Sequence, residues 1–159
     1  MLKIGDQLPE ITFQLLNDEG GTTPTTHDLF ANRKVVLFAV PGAFTPTCSN
    51  AHLPGFVANS AEIKSKGVDS IICLSVNDSF VMKAWGEANN VGDIVMLADG
   101  AAAFTKAIGL DMETGDFGGT RSKRYSMLVD NGVVIHLNVE PPQGGLDVSS
   151  AEVMLTQIR

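Results

Sequence analysis

The residues best suited to chemistry lie in one segment, Pro41-Gly-Ala-Phe-Thr45-Pro-Thr-Cys48. It joins a short apolar run to a stretch that reads as a helix, so Cys48 is expected in a helix's first turn. Unpaired backbone N–H groups and the macrodipole favour an anion there, and the thiolate is the reactive form of cysteine. Thr45, three residues earlier, can turn its hydroxyl toward the sulfur or toward a ligand on it. Pro41 and Pro46 restrict the loop and remove two backbone donors near the sulfur. The plainer alternative is a buried, inert cysteine in a proline-rich turn. Position after a buried strand, at a helix start and beside a threonine argues for the reactive one. An ordinary thiol is only about 3% ionised at pH 7, and lowering its pKa to about 6 would gain about 30-fold, or about 2 kcal/mol. Nucleophilicity falls as pKa falls, so fast chemistry at this sulfur also needs hydrogen bonds to the group under attack.

The flanking elements must hold that loop. Val35 to Val40 is uniformly apolar, with charge before it and Pro41-Gly42 after it, the pattern of a strand buried on both faces. Ser49 to Lys66 reads as a helix stopped by Gly67, with Pro54 predicting a kink or a late start. Ile71 to Val76 is a second buried strand, followed by Asn77-Asp78 as a cap and a helix over Phe80 to Ala88. Ile94 to Ala98 is a third strand, and Asp99 can cap a short helix through Ile108. Tyr125–Val129 and Val133–Asn138 flank Asp130-Asn-Gly132, a strong hairpin signal. The turn-rich stretch from Asp18 reads as a surface hairpin or loop. Ser149-Ser-Ala-Glu152 reads as a capping box, with Val153, Leu155 and Ile158 as the apolar face of a last helix. This order predicts an α/β chain with a mixed sheet flanked by helices, and a reactive loop at the sheet's rim.

Composition narrows the function classes. The chain has 159 residues, which predicts one domain over 1–159. Only 18% of residues are charged, against 44% hydrophobic, which excludes disorder and hints at a buried subunit contact. A net charge of −7 argues against nucleic acid as a partner. Three of the 11 basic residues nevertheless crowd into Arg121, Lys123 and Arg124. The amino-terminal residues form no apolar targeting segment, and the run from Val35 to Val40 is too short to span a membrane. A soluble protein of a reducing compartment, the cytoplasm, is the expectation.

The pattern Pro41-x-x-x-Thr45-x-x-Cys48 resembles the motif of the peroxiredoxins, thiol peroxidases of the thioredoxin superfamily. The longer run through Ser49, with His52-Leu-Pro-Gly-Phe56 after it, is similar to the type-5 (type II) subgroup. Further blocks agree in order: Ser75-Val-Asn-Asp78, Phe80-Val-Met-Lys-Ala-Trp85, Lys123-Arg-Tyr-Ser-Met127 and Leu137-Asn-Val-Glu-Pro141. The resemblance implies a thioredoxin-like fold and makes Cys48 the peroxidatic nucleophile in a pocket completed by Pro41 and Thr45. It makes Arg124 the active-site arginine, a permanent cation that would favour both the thiolate and the charge developing on a breaking O–O bond. Arg121 and Lys123 match no catalytic position and are left as surface charges. Hydrogen peroxide and organic hydroperoxides are the implied substrates, with a homodimer as the implied assembly.

Cys73 sits mid-strand and reads as a small hydrophobe, with a resolving cysteine as the functional alternative. Some type-5 relatives carry a resolving cysteine after Leu-Asn-Val-Glu-Pro, but Gly144 to Ser149 contains none. That favours a one-Cys cycle in which glutathione, glutaredoxin or thioredoxin regenerates the enzyme. His52, one turn after Cys48, can either reach the site or contact helix neighbours. No Cys/His spacing suits zinc, and no Gly-rich loop follows a strand, so neither metal nor nucleotide cofactor is expected. A thioredoxin-like disulfide oxidoreductase would need a Cys-x-x-Cys motif, and Thr45 occupies the first cysteine's place. The rival from another class is a peroxide sensor or redox-switched holdase that uses Cys48 oxidation without rapid turnover.

Overall fold

The apolar runs become the middle of one sheet in a computed structural model that describes residues 1–142 and 145–158. In chain order come β1 (Leu15–Asn17), β2 (Gly20–Thr22), α1 (Thr26–Phe30), β3 (Lys34–Val40), a π-helical turn (Cys48–His52) and α2 (Leu53–Ser65). Next are β4 (Ser70–Ser75), α3 (Ser79–Ala88), β5 (Val95–Ala98), α4 (Ala103–Ala107) and β6 (Asp111–Glu113). A 3-10 turn (Gly115–Phe117), β7 (Thr120–Ser122), β8 (Tyr125–Asp130), β9 (Val133–Val139) and α5 (Ala151–Gln157) complete the chain.

The sheet has the order β5-β4-β3-β8-β9. β3, β4 and β5 run parallel, while β8 is antiparallel to both β3 and β9. β3 is apolar throughout because both its faces are covered. Val36, Phe38 and Val40 join one core with Leu53 and Phe56 of α2, Trp85 of α3 and Met154 of α5. Val35, Leu37 and Ala39 join the other with Phe30 of α1 and Phe104 of α4. The β8–β9 hairpin turns on Asn131 (φ 49°) and Gly132 (φ 79°), the two left-handed positions that a tight hairpin turn requires.

Several expectations need correction. Ser149 does not cap α5: the cap is Ser150, whose side chain accepts from Val153 N, because Ser149 is engaged by Glu140. The buried residues of α5 are Ala151 and Met154, with Ile158 just beyond its end, whereas Val153 and Leu155 are only half-buried. The helix expected over 49–66 begins earlier, at Pro46, and passes through the π-helical turn before α2. Pro54 has no N–H to give to the carbonyl four residues back, and the wider turn, with Leu53 N–H donating to Cys48 O, absorbs the mismatch. The β6–β7 hairpin and α1 carry too short a pattern to be legible in the sequence. Gly144, the first residue of the cysteine-free stretch, lies outside the described residues.

Candidate active site

Sheet pairing assembles the site. Ala39 of β3 faces Tyr125 of β8, so Arg124, just before β8, comes alongside the end of β3 where the loop to Cys48 begins. Gly42 is buried at the start of that loop, and Phe44 takes a left-handed backbone conformation (φ 63°). Thr45 Oγ1 donates to Gly42 O at 2.7 Å, and Thr45 O accepts from Ser49 N at 2.9 Å. Cys48 opens the π-helical turn with its side chain buried.

Three side chains meet there. Arg124 Nη2 donates to Cys48 Sγ at 3.0 Å, and its Nη1 lies 2.9 Å from His52 Nδ1. His52 Nε2 lies 2.9 Å from the carbonyl oxygen of Ser149. A carbonyl only accepts, so Nε2 carries the proton and the lone pair on Nδ1 accepts from the guanidinium. Burial first, and the Arg124 charge second, push the His52 pKa down to about 3, so the ring is neutral near pH 7. Among the described residues Arg124 forms no ion pair. Its guanidinium faces the sulfur, so the contact is a hydrogen bond from a permanently charged donor.

The structure therefore brings Cys48 and Arg124 into contact and sets Thr45 at the same loop, with its hydroxyl proton turned to the backbone. Pro41 lines a small cavity with Arg124 and Glu140. His52, whose role the sequence leaves open, is 1% exposed and belongs to the site. Arg121 is not a free surface charge: it is half-buried, and its Nε and Nη1 donate to Gly118 O and Val76 O, both at 3.1 Å. Lys123 is half-buried too, against the same cavity as Pro41. Two further residues escape sequence reasoning. Asn77 Oδ1 accepts from Ala43 N at 3.0 Å and from Ser75 Oγ at 2.6 Å, holding the loop from the β4–α3 turn while Asp78 alone caps α3. Glu140 binds the segment carrying Ser149. Their only trace in the sequence is membership of the Ser75–Asp78 and Leu137–Pro141 blocks.

Cys73 of β4 faces Phe38 of β3 in the same core as Cys48. Burial pushes its thiol well up, and the neighbouring Cys48 adds to the shift. Among the described residues no group of three His, Cys, Asp or Glu side chains is placed to hold a metal ion.

A family model described as Redoxin matches residues 3–155. The chain is 49% identical to Peroxiredoxin-2E-2, chloroplastic, of Oryza sativa subsp. japonica, over 97% of this chain and 71% of that protein. It is 46% identical to Peroxiredoxin-2D of Arabidopsis thaliana, covering 97% and 96% of the two chains. Among solved structures, reduced Prx3 of Vibrio vulnificus in complex with H2O2 superposes with a TM-score of 0.97 at 56% identity, over the full length of both chains.

Proposed function

Because the chain belongs to the redoxin family and is a peroxiredoxin, a thiol peroxidase with a thioredoxin-like fold, we propose that Cys48 is its peroxidatic nucleophile. Pro41, Thr45 and Arg124 complete the pocket. The observation that carries this reading is the 3.0 Å contact from an arginine without a carboxylate partner, among the described residues, to a buried cysteine sulfur.

Hydrogen peroxide and organic hydroperoxides are the proposed substrates, and the neighbour solved with H2O2 supports the first. The Cys48 thiolate attacks one peroxide oxygen. An S–O bond forms, the O–O bond breaks, and its electron pair leaves on the distal oxygen, which takes a proton to become water or an alcohol. The Thr45 hydroxyl, its own proton given to Gly42 O, presents lone pairs to the peroxide O–H. Arg124 N–H groups steady the negative charge shared between sulfur and the leaving oxygen. Cys48 is left as a sulfenic acid.

An external thiol then attacks that sulfenic acid, releasing water and leaving a mixed disulfide; a second thiol releases Cys48 and carries away the disulfide. Glutathione with glutaredoxin, or thioredoxin, supplies these thiols. The buried thiol of Cys73, paired mid-strand against Phe38 and pushed up by burial, supports this one-Cys cycle, because a resolving cysteine attacks the sulfenic acid as a thiolate.

The active form is proposed as a homodimer. Phe44, Phe80 and Phe117 are 55%, 72% and 69% exposed. Asn77 and Arg121 tie their loops together at one end of the sheet, and an apolar rim of this kind fits a second copy of the chain. A reducing compartment, the cytoplasm, is proposed from the two free cysteines, and cell fractionation tests it.

Intact mass measurement after one equivalent of peroxide, with and without glutathione, tests the cycle. The expected products are Cys48 sulfenic acid and its glutathione adduct; an internal disulfide would refute the one-Cys route. Reduction of many peroxides per chain under excess thiol separates this enzyme from a peroxide sensor or holdase.

A further inference from the structure

We infer that Glu140 is a positioning residue for the peroxidatic arginine, closing a ring of hydrogen bonds that begins and ends on Arg124. The inference rests on the reading of Arg124 as the group that serves Cys48.

The ring has four members. Glu140 N donates to Arg124 O at 2.9 Å, fixing the main chain of the arginine. Glu140 Oε2 accepts from Ser149 N at 2.8 Å, Ser149 O accepts from His52 Nε2, and His52 Nδ1 accepts from Arg124 Nη1. The other Nη of that guanidinium reaches Cys48 Sγ.

Glu140 is 2% exposed. Besides Ser149 N, its Oε2 accepts from Asp147 N, Val148 N and Ser149 Oγ at 2.8 to 2.9 Å. Three consecutive N–H groups aimed at one oxygen form an anion nest, a geometry that selects a carboxylate. Burial pushes the Glu140 carboxyl up, but the hydrogen bonds from Ser149, Asp147 and Val148 outweigh it and hold it below the usual range. Among the described residues Glu140 makes no ion pair with Arg124, although both residues line one cavity of about 70 Å³. The guanidinium keeps its charge for the sulfur.

The purpose follows from the histidine. If the 147–149 turn loosens, Ser149 O no longer dictates the tautomer of His52. In the other tautomer Nδ1–H meets a guanidinium N–H, donor against donor, and drives it off the sulfur. A carboxylate three hydrogen bonds away thus decides which way the arginine points.

Glu140→Gln keeps the shape and removes the charge; Ser149→Ala removes one donor and keeps the backbone N–H. The measurements are the second-order rate of Cys48 oxidation by H2O2, the ¹⁵N signals of the His52 ring and the melting curve, with Arg124→Ala alongside. Glu140→Gln is expected to fold, to slow oxidation about tenfold and to move His52 off its Nε2–H pattern. Ser149→Ala is expected to slow oxidation about two- to threefold, with a smaller shift of the same signals. Glu140→Gln with a wild-type rate, or with a slower rate but unmoved His52 signals, overturns the inference while Arg124→Ala remains slow. A wild-type rate in Arg124→Ala instead overturns the reading of the site, and the ring's purpose with it. Should Glu140→Gln fail to fold, Ser149→Ala with unchanged rate and unchanged ring signals overturns the inference.

Discussion

Replacing Arg124 with alanine removes the cation facing Cys48 and leaves the sulfur buried with no charged donor of this kind. Across the 3.0 Å from Nη2 to Sγ, two unit charges interact by about 1.4 kcal/mol in bulk water and about 5.5 kcal/mol at an effective dielectric of about 20. Arg124 is half-buried, so a value between these limits, about 3 kcal/mol, is taken for the charge that develops on sulfur and leaving oxygen in the transition state. That is about a hundredfold in the rate of the first oxidation, in line with the loss of one preorganised donor at a developing anion. Trp85 provides the assay. Its Nε1 donates to Ser49 Oγ at 3.0 Å, beside Cys48, so stopped-flow tryptophan fluorescence reports sulfur oxidation directly. Arg124→Ala also takes the donor from His52 Nδ1, so its melting curve should show a modest loss of about 1 kcal/mol rather than unfolding. Arg124→Lys should fall between the two, because a point charge cannot reach Sγ and His52 Nδ1 together. Oxidation of Arg124→Ala within about threefold of wild type, or under 1 kcal/mol of effect, would refute the electrostatic account.

Cys48→Ser should abolish peroxide consumption, whereas Cys73→Ser should retain most of it with a glutathione or glutaredoxin supply; lost turnover with accumulating sulfenic acid in the Cys73 variant would rule out the one-Cys cycle. His52 links stability to pH. Its folded pKa, about 3, lies below the unfolded value of 6.5, so the unfolded chain takes up the proton first. The stability from keeping the ring neutral is full above pH 6.5 and is lost progressively as pH falls toward 3. Relative to His52→Gln, the wild type should lose about 2 kcal/mol more between pH 7 and pH 5 in urea titrations, and equal losses would contradict the assignment. Light scattering at micromolar concentration should give a dimer for the wild type and a shift toward monomer for Phe44→Ser combined with Phe80→Ser; a wild-type monomer would remove the aromatic rim from the interface.

The loop carrying Cys48 is legible because its logic is local. Pro41, Thr45 and Cys48 lie within one turn of chain, and the strand before them is recognisable from six apolar residues in succession. The Asn131-Gly132 turn is equally plain, since few residue types accept two left-handed positions. Arg124 is different: family resemblance points to it, but its spacing from Cys48 does not. Ser149 shows how a correct local signal can mislead. A serine three residues before a glutamate has the form of a cap, yet Glu140 takes its N–H and hydroxyl, and Ser150 caps instead. Arg121 resembles a solvated charge until two loops close over it.

What the sequence determined by itself is the cysteine proposed as nucleophile, the threonine beside it and the strand and helix that present them, because backbone propensity and burial act over a few residues. Tertiary structure alone decided the partners of that sulfur. Arg124 is 76 residues from Cys48, and His52 is 97 from Ser149. Such contacts exist only after β8 has paired with β3 and the C-terminal segment has folded back over the site. A hydrogen bond depends on tenths of an ångström between groups whose separation along the chain carries no trace of it.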